Sequence, residues 1–346
     1  MTDTHDTQAL AEGGRLIDQM FTRLLRGDSL QDFGDWFASA AAAPGGPVDD
    51  PRAARAMARA LWGAVPLAMT PLIAHLDAVT ISWFRFASSG LCLLAFFAAR
   101  GRLQWPRSAG RTAAWLFALA VLMLIGNYVL YVQSLHFIAA PVAQTVVQLA
   151  PVLLMLLSLW LFGERFSARQ WAGFVLLVGG ITVFCAERLR VSGAGIDIFS
   201  TGVGLMVLAA ALWAVYGVAQ KRLLRYLPSQ FVLMGIYLAS ALLMLPAASP
   251  GAIAALGATE LGLLAFLAAN TLIAYGAFAE ALNHWESSKV SAVLALQPLT
   301  TLFGAAALGA LFPAHFPALP LTVGAVVASF VVVAGSAICA LGGVRR

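Results

Sequence analysis

Charge is scarce in this sequence. Of its 346 residues only 11% are Asp, Glu, Lys or Arg, whereas a soluble domain of that length carries roughly 25% to hydrate its surface. The deficit excludes a water-exposed globule for most of the chain. Cysteine is sparse too: Cys92, Cys185 and Cys339 each fall in a separate apolar run, which suits small core residues rather than a disulfide or metal framework. Five histidines and sixteen acids are too few, and mostly too close to the ends of apolar runs, to build a hydrolytic site. Glycine-rich phosphate loops, His/Cys metal spacings and a nucleophile beside a positioned base are all missing. The sequence points away from an enzyme and calls for no cofactor and no metal.

Apolar residues fill the space that charge leaves. They make up 61% of the chain, with a mean hydropathy of +0.85. From about residue 58 onward, apolar runs repeat at the length of roughly 20 residues that crosses a hydrocarbon core. Ten candidate spans lie near 58–75, 79–99, 113–134, 138–162, 169–187, 202–220, 230–248, 259–282, 288–312 and 321–342. The surplus of five positive charges does not point to nucleic acid, because the basic residues cluster between apolar runs. Arg52, Arg55 and Arg59 precede the first span; Arg100, Arg102, Arg107 and Arg111 fill the second connection; Arg165 and Arg169 fill the fourth. Lys221, Arg222 and Arg225 fill the sixth, Lys289 borders the eighth, and Arg345 and Arg346 close the chain. The odd-numbered connections hold only Arg188 and Arg190. Positive residues stay in the cytoplasm, so both termini are expected there. The fold class that follows is an all-α membrane protein whose direct surroundings are the lipid bilayer.

Residues 1–57 are different in kind. The first fifty hold nine acids and three arginines, which argues against a basic, cleavable leader. Leu16, Ile17, Met20, Phe21, Leu24 and Leu25 recur at helical spacing, and PGGPVDDP (44–51) reads as a linker. Either this arm is a helix pair that binds a protein partner, or it is a cytoplasmic extension with little order.

The membrane region repeats itself. A shift of 147 residues carries Tyr128 onto Tyr275, Leu135 onto Leu282, Val146 onto Val293, Leu149 onto Leu296 and Pro151 onto Pro298. The expected units are 58–187 and 202–342, five spans each. Five is odd, so the second copy enters the bilayer upside down. Inverted repeats of this kind place a substrate site near the midplane between the halves.

One segment supplies a family. FGERFSARQWAGFVLLVGGITVF (162–184), after the proline-bearing fourth span, and Arg85 within TISWFRFASSGLCLLAFF (80–97) resemble the EamA-type branch of the drug/metabolite transporter (DMT) superfamily. The resemblance covers roughly 58–342 and leaves the N-terminal arm outside. It implies a ten-helix inner-membrane carrier of small metabolites, often working outward. The second half departs from the pattern: Ala310-Leu311 stand where the first half has Gly163-Glu164, so Glu164 is expected to anchor a cytoplasmic turn.

Polar residues inside the spans nominate a site. Gln144 and Gln148 are four apart and share a helix face with Pro151; Gln297 adjoins Pro298. Each proline should kink its span and free a backbone acceptor, the carbonyl of Val147 in one case and of Leu294 in the other. Amides are costly against lipid and should face the bundle, as glue between helices or as substrate contacts. Trp62, Tyr128, Tyr131, Trp213, Tyr216 and Tyr275 are candidates to line the same cavity or to pack and belt the bundle; Asn127 and Asn270 share that ambiguity. Arg85 snorkels, pairs with Asp77 or binds an anionic group. Glu280 and His284, four apart, are either a proton-coupling pair or a solvated helix end. The expected activity is a secondary carrier for a small metabolite or drug-like compound, working by alternating access and outward. Uptake or exchange, or a carrier-like sensor signalling through the arm, stand as alternatives.

Overall fold

The computed structural model describes residues 63–99, 110–162, 167–193, 195–227, 229–284, 296–313, 316 and 320–341, and among these every regular element is helical. The N-terminal arm, Trp62, Glu164 and Leu294 lie outside them. The helices are α1 (Gly63–Leu72), α2 (Ala78–Ala99), α3 (Gly110–Ser134), α4 (Ala140–Val146), α5 (Leu149–Phe162), α6 (Ala168–Ser192), α7 (Ile196–Leu223), α8 (Ser229–Met244), α9 (Ala258–His284), α10 (Gln297–Leu311) and α11 (Val323–Leu341). Two short 3-10 turns, Leu245–Ala247 and Pro250–Ala255, join α8 to α9.

Local chemistry sets several of the ends. Asp77 accepts the backbone N–H and the hydroxyl of Thr80, capping α2. Ser167 and Gln170 form a reciprocal capping box at the start of α6. Gly193, at φ 66°, takes the left-handed turn that ends the same helix.

The distribution of surface is that of a chain dissolved in lipid. Trp115, Leu119 and Leu122 form an exposed stripe on α3, and Trp171, Val175 and Val178 form another on α6. Inside lie Ser82, Ser89, Asn127, Gln144, Thr145, Gln148, Ser240, Asn270, Thr271, Gln297, Thr301 and Ser329. Water would reverse this order. A bilayer stabilises it, because apolar side chains lose nothing against acyl chains and polar ones need protein partners. Among the described residues six helical segments, α4 and α5 taken together as one of them, are long and apolar enough to cross a membrane, and shorter apolar helices accompany them.

Small residues bring the helices together. A Cβ on Gly173 would stand 2.5 Å from the backbone nitrogen of Cys339, and one on Gly335 would stand 2.4 Å from that of Leu177. Thus α6 and α11 touch backbone to backbone, with Leu177 fully buried between them. Gly63 lies against Thr300, and the Thr301 hydroxyl donates to the Gly63 carbonyl at 2.7 Å, tying α1 to α10. On the opposite side Gly217 of α7 receives Leu154 of α5. Other contacts pair α2 with α9 and α8 with α3. Exchanging α1–α6 for α7–α11 in chain order, with α4 and α5 taken together, maps these pairs onto one another. It maps α6–α11, α2–α8 and α4–α10 onto themselves, the pattern of two copies related by a dyad.

The fourth apolar run is broken where the glutamines sit. Its turn at Val147–Gln148 lies four residues before Pro151, where a proline removes a helical bond and crowds the preceding turn. The expectation of a free Val147 carbonyl is corrected, since it accepts the Ala150 N–H at 2.9 Å in a tighter, three-residue turn. Pro298 stands in the first turn of α10, where its missing N–H has no intrahelical acceptor to lose.

Candidate functional site

A cavity of about 130 Å³ lies between the halves, lined by Val65, Arg85, Asn127, Tyr128, Tyr131, Gln144, Val147, Gln148, Ala150, Pro151, Trp213 and Gln297. Helices α1 to α5 and the turn between α4 and α5 supply the first ten of these residues; α7 supplies Trp213 and α10 supplies Gln297.

A relay of hydrogen bonds crosses it. The Tyr131 hydroxyl donates to Gln144 Oε1 at 2.9 Å, and Gln144 Nε2 donates to Gln297 Oε1 at 2.8 Å. The break in the fourth run brings Gln144 to this bond: α4 ends two residues after it, and α10 starts at Gln297 itself. Glue and cavity lining are therefore not alternatives for these amides, which do both. Gln148, only 2% exposed, lines the cavity one turn further on.

Arg85 sits seven residues into α2, about 10 Å from its start, and is 5% exposed. Its Nε donates to Thr271 Oγ1 at 2.9 Å, while that hydroxyl donates to the Leu267 carbonyl. Its guanidinium carbon lies 4.5 Å from the centre of the Tyr128 ring, a cation–π contact that partly offsets the loss of water. Phe86 holds the same tyrosine from another side, with ring centres 4.4 Å apart. The suggested pairing with Asp77 is not formed, because that carboxylate is engaged in capping α2. Snorkelling does not occur either: the head group stays inside. Asn127 donates from Nδ2 to the Ala209 carbonyl of α7 at 2.9 Å, which leaves Oδ1 as an acceptor beside the cavity.

Nine of the nominated residues thus line one space: Gln144, Gln148, Gln297, Tyr128, Tyr131, Trp213, Arg85, Pro151 and Asn127. Tyr216 does not join them; it is 1% exposed and packs in the aromatic core around Phe86 and Tyr237. Pro298 is buried in α10 without lining the cavity. Trp62 and the side chains of Tyr275, Glu280 and His284 fall outside the described residues. The sequence reading missed Thr271, which fixes Arg85, and the apolar wall of Val65, Val147 and Ala150. An alanine or valine in a membrane run gives no signal that would separate a wall from ordinary packing.

Known proteins place the chain in a family. The EamA-like transporter family matches twice, over residues 56–185 and 200–338. The chain is 36% identical over 283 residues to the uncharacterized inner membrane transporter YhbE of Escherichia coli K12, covering 81% of this chain and 88% of that one. It is 36% identical to an uncharacterized transporter of Haemophilus influenzae, covering 81% and 91%. A solved crystal structure with 21% identity superposes with a TM-score of 0.58 over 83% of this chain and 95% of the other, and shares the fold. With two tandem matches that take in most of its length, the chain belongs to the EamA-like transporter family, as a multi-pass membrane transporter of small substrates.

Proposed function

We propose that the chain is a secondary carrier that moves a small amphipathic metabolite or drug-like compound across the inner membrane by alternating access, outward, with both termini in the cytoplasm. One observation carries the reading: the cavity is walled by both halves, and the Gln144–Gln297 hydrogen bond ties one half to the other across it. Rocking of the units 58–187 and 202–342 about this seam would break that bond and open the cavity to one face, then the other. Uptake and exchange differ from export only in the gradient applied. The N-terminal arm is dispensable for flux on this reading.

The test is transport by the full chain reconstituted in proteoliposomes, with substrates drawn from a growth screen of an overexpressing strain against toxic compounds. Deleting residues 1–57 should leave flux intact. Gln148→Ala and Gln297→Ala should raise the half-saturating concentration or lower the rate. Wild-type kinetics in both, at normal expression, would refute the assigned site, and an absence of flux for every growth-active compound would refute the carrier.

A further inference from the structure

An arginine inside a membrane protein needs a reason. A buried cation without a counter-charge is costly, and such residues face protein or cavity rather than lipid. Arg85 makes no ion pair among the described residues. Asp77 is turned to its own helix end. Glu280 lies nine residues beyond Thr271 on the same helix, about 14 Å along the axis.

The geometry of the guanidinium is also informative. Its Nε edge is spent on Thr271 and one face is stacked on Tyr128. What remains is the end that carries Nη1 and Nη2. Neither atom donates to a described residue, and Arg85 lines the cavity. Two parallel donors in a plane match the two oxygens of a carboxylate. The relay adds a third donor. Because Gln144 Nε2 fills Gln297 Oε1, the Nε2 of Gln297 is left without a described acceptor, on a side chain that lines the cavity. Asn127 Oδ1 offers an acceptor on the same wall, but the Nη1, Nη2 and Gln297 Nε2 donors around a fixed positive charge favour an anion, while the walls of Val65, Val147, Ala150 and Trp213 favour an apolar body.

We infer that the cavity selects substrates bearing a carboxylate on a compact apolar or aromatic body, the carboxylate seated on the Nη end of Arg85 and Thr271 acting as the positioning residue for that fork. The inference rests on the cavity being the carrier's substrate site. It excludes amines and uncharged compounds as preferred substrates, which the function proposed above does not.

Matched probes test it: phenylacetate, phenylacetamide and phenethylamine, and the branched set isovalerate, isovaleramide and isopentylamine. Binding to the full chain in nanodiscs is read by calorimetry and thermal stabilisation, and flux by counterflow in proteoliposomes. In at least one set the carboxylate should bind about tenfold or more tighter than its amide and amine. Arg85→Gln should collapse that preference to within about twofold, Arg85→Lys should keep part of it, and Thr271→Val should weaken it in a protein that still folds. A preference for amide or amine, a carboxylate preference that survives in Arg85→Gln, or no binding by any probe would overturn the inference. If Arg85→Gln fails to fold, Thr271→Val decides alone: an unchanged carboxylate preference overturns the inference and a reduced one supports it. The two readings fail separately. Carboxylate binding without counterflow sinks the carrier and spares the selectivity, and counterflow of amines or amides independent of Arg85 does the reverse.

Discussion

Replacing Gly173 or Gly335 by alanine puts the α6–α11 seam to a quantitative test. The new methyl would sit 2.5 Å or 2.4 Å from backbone atoms of the facing helix. A comfortable contact needs roughly 3.5 Å, so the helices must part by about 1 Å. Backbone cannot swing aside as a side chain does, and the whole seam feels the gap. Leu177, fully buried there, stands for a side chain with about 40 contacts worth roughly 0.15 kcal/mol each, and losing about a third of that attraction costs about 2 kcal/mol. This lies within the usual range for overpacking, about 1–3 kcal/mol. The second substitution enters a seam already opened, so the double variant should fall well short of the sum of the singles. Gly179→Ala is the control: it is on the same helix, nothing lies within 4 Å of its Cβ, and helix propensity favours the change by roughly 0.5–1 kcal/mol. The assay is denaturant or thermal unfolding of the purified protein in one detergent, for the three single variants and the double. If Gly173→Ala were as stable as Gly179→Ala, or the two seam costs summed fully, the contact would not be the one described.

Three further outcomes are expected. Gln144→Leu leaves the Tyr131 hydroxyl and Gln297 Oε1 without their partner; with interhelical bonds in membranes averaging about 0.6 kcal/mol, the loss should be about 1–2 kcal/mol in the same unfolding assay, and a value near zero would mean that the relay does not form. Ser167→Ala removes one arm of the capping box on α6 and should cost about 1 kcal/mol, with Ser167→Asp largely restoring it; equal stability of all three would contradict the cap. Proton coupling through Glu280 predicts that Glu280→Gln abolishes the dependence of flux on a pH gradient, and unchanged dependence in proteoliposomes would rule that role out.

Much of this was legible in sequence because lipid simplifies the code. In water a buried glutamine competes with many surface glutamines for notice. In a membrane run, Gln144, Gln148 and Gln297 stand out by cost alone, and cost forces them inward. The same logic found Arg85, Tyr128 and Tyr131. Partner choice was less legible. Whether Arg85 turns to Asp77 or to Thr271 depends on how α2 and α9 cross, and two segments some 190 positions apart carry no local trace of that crossing. Tyr216 takes the packing alternative for a related reason: a helix in a bundle has two protein-facing sides, and periodicity does not say which of them meets a cavity. A rigid helix would leave the Val147 carbonyl open opposite the proline, whereas the turn tightens and the carbonyl accepts the Ala150 N–H.

The two halves contribute unlike chemistry to the cavity, since Gln148 has Ala295 as its counterpart and Gln297 has Ala150. For a carrier this has a kinetic consequence and no thermodynamic one. A chamber that is not superposable on its own inverted copy presents different contacts when opened to one face than to the other, so the half-saturating concentrations on the two sides differ. Detailed balance still requires the maximal rate divided by that concentration to be equal in both directions when no gradient drives the cycle. The unequal glutamines therefore cannot pump. In a carrier that uses this cavity they would set at which concentration each face of the membrane begins to be served.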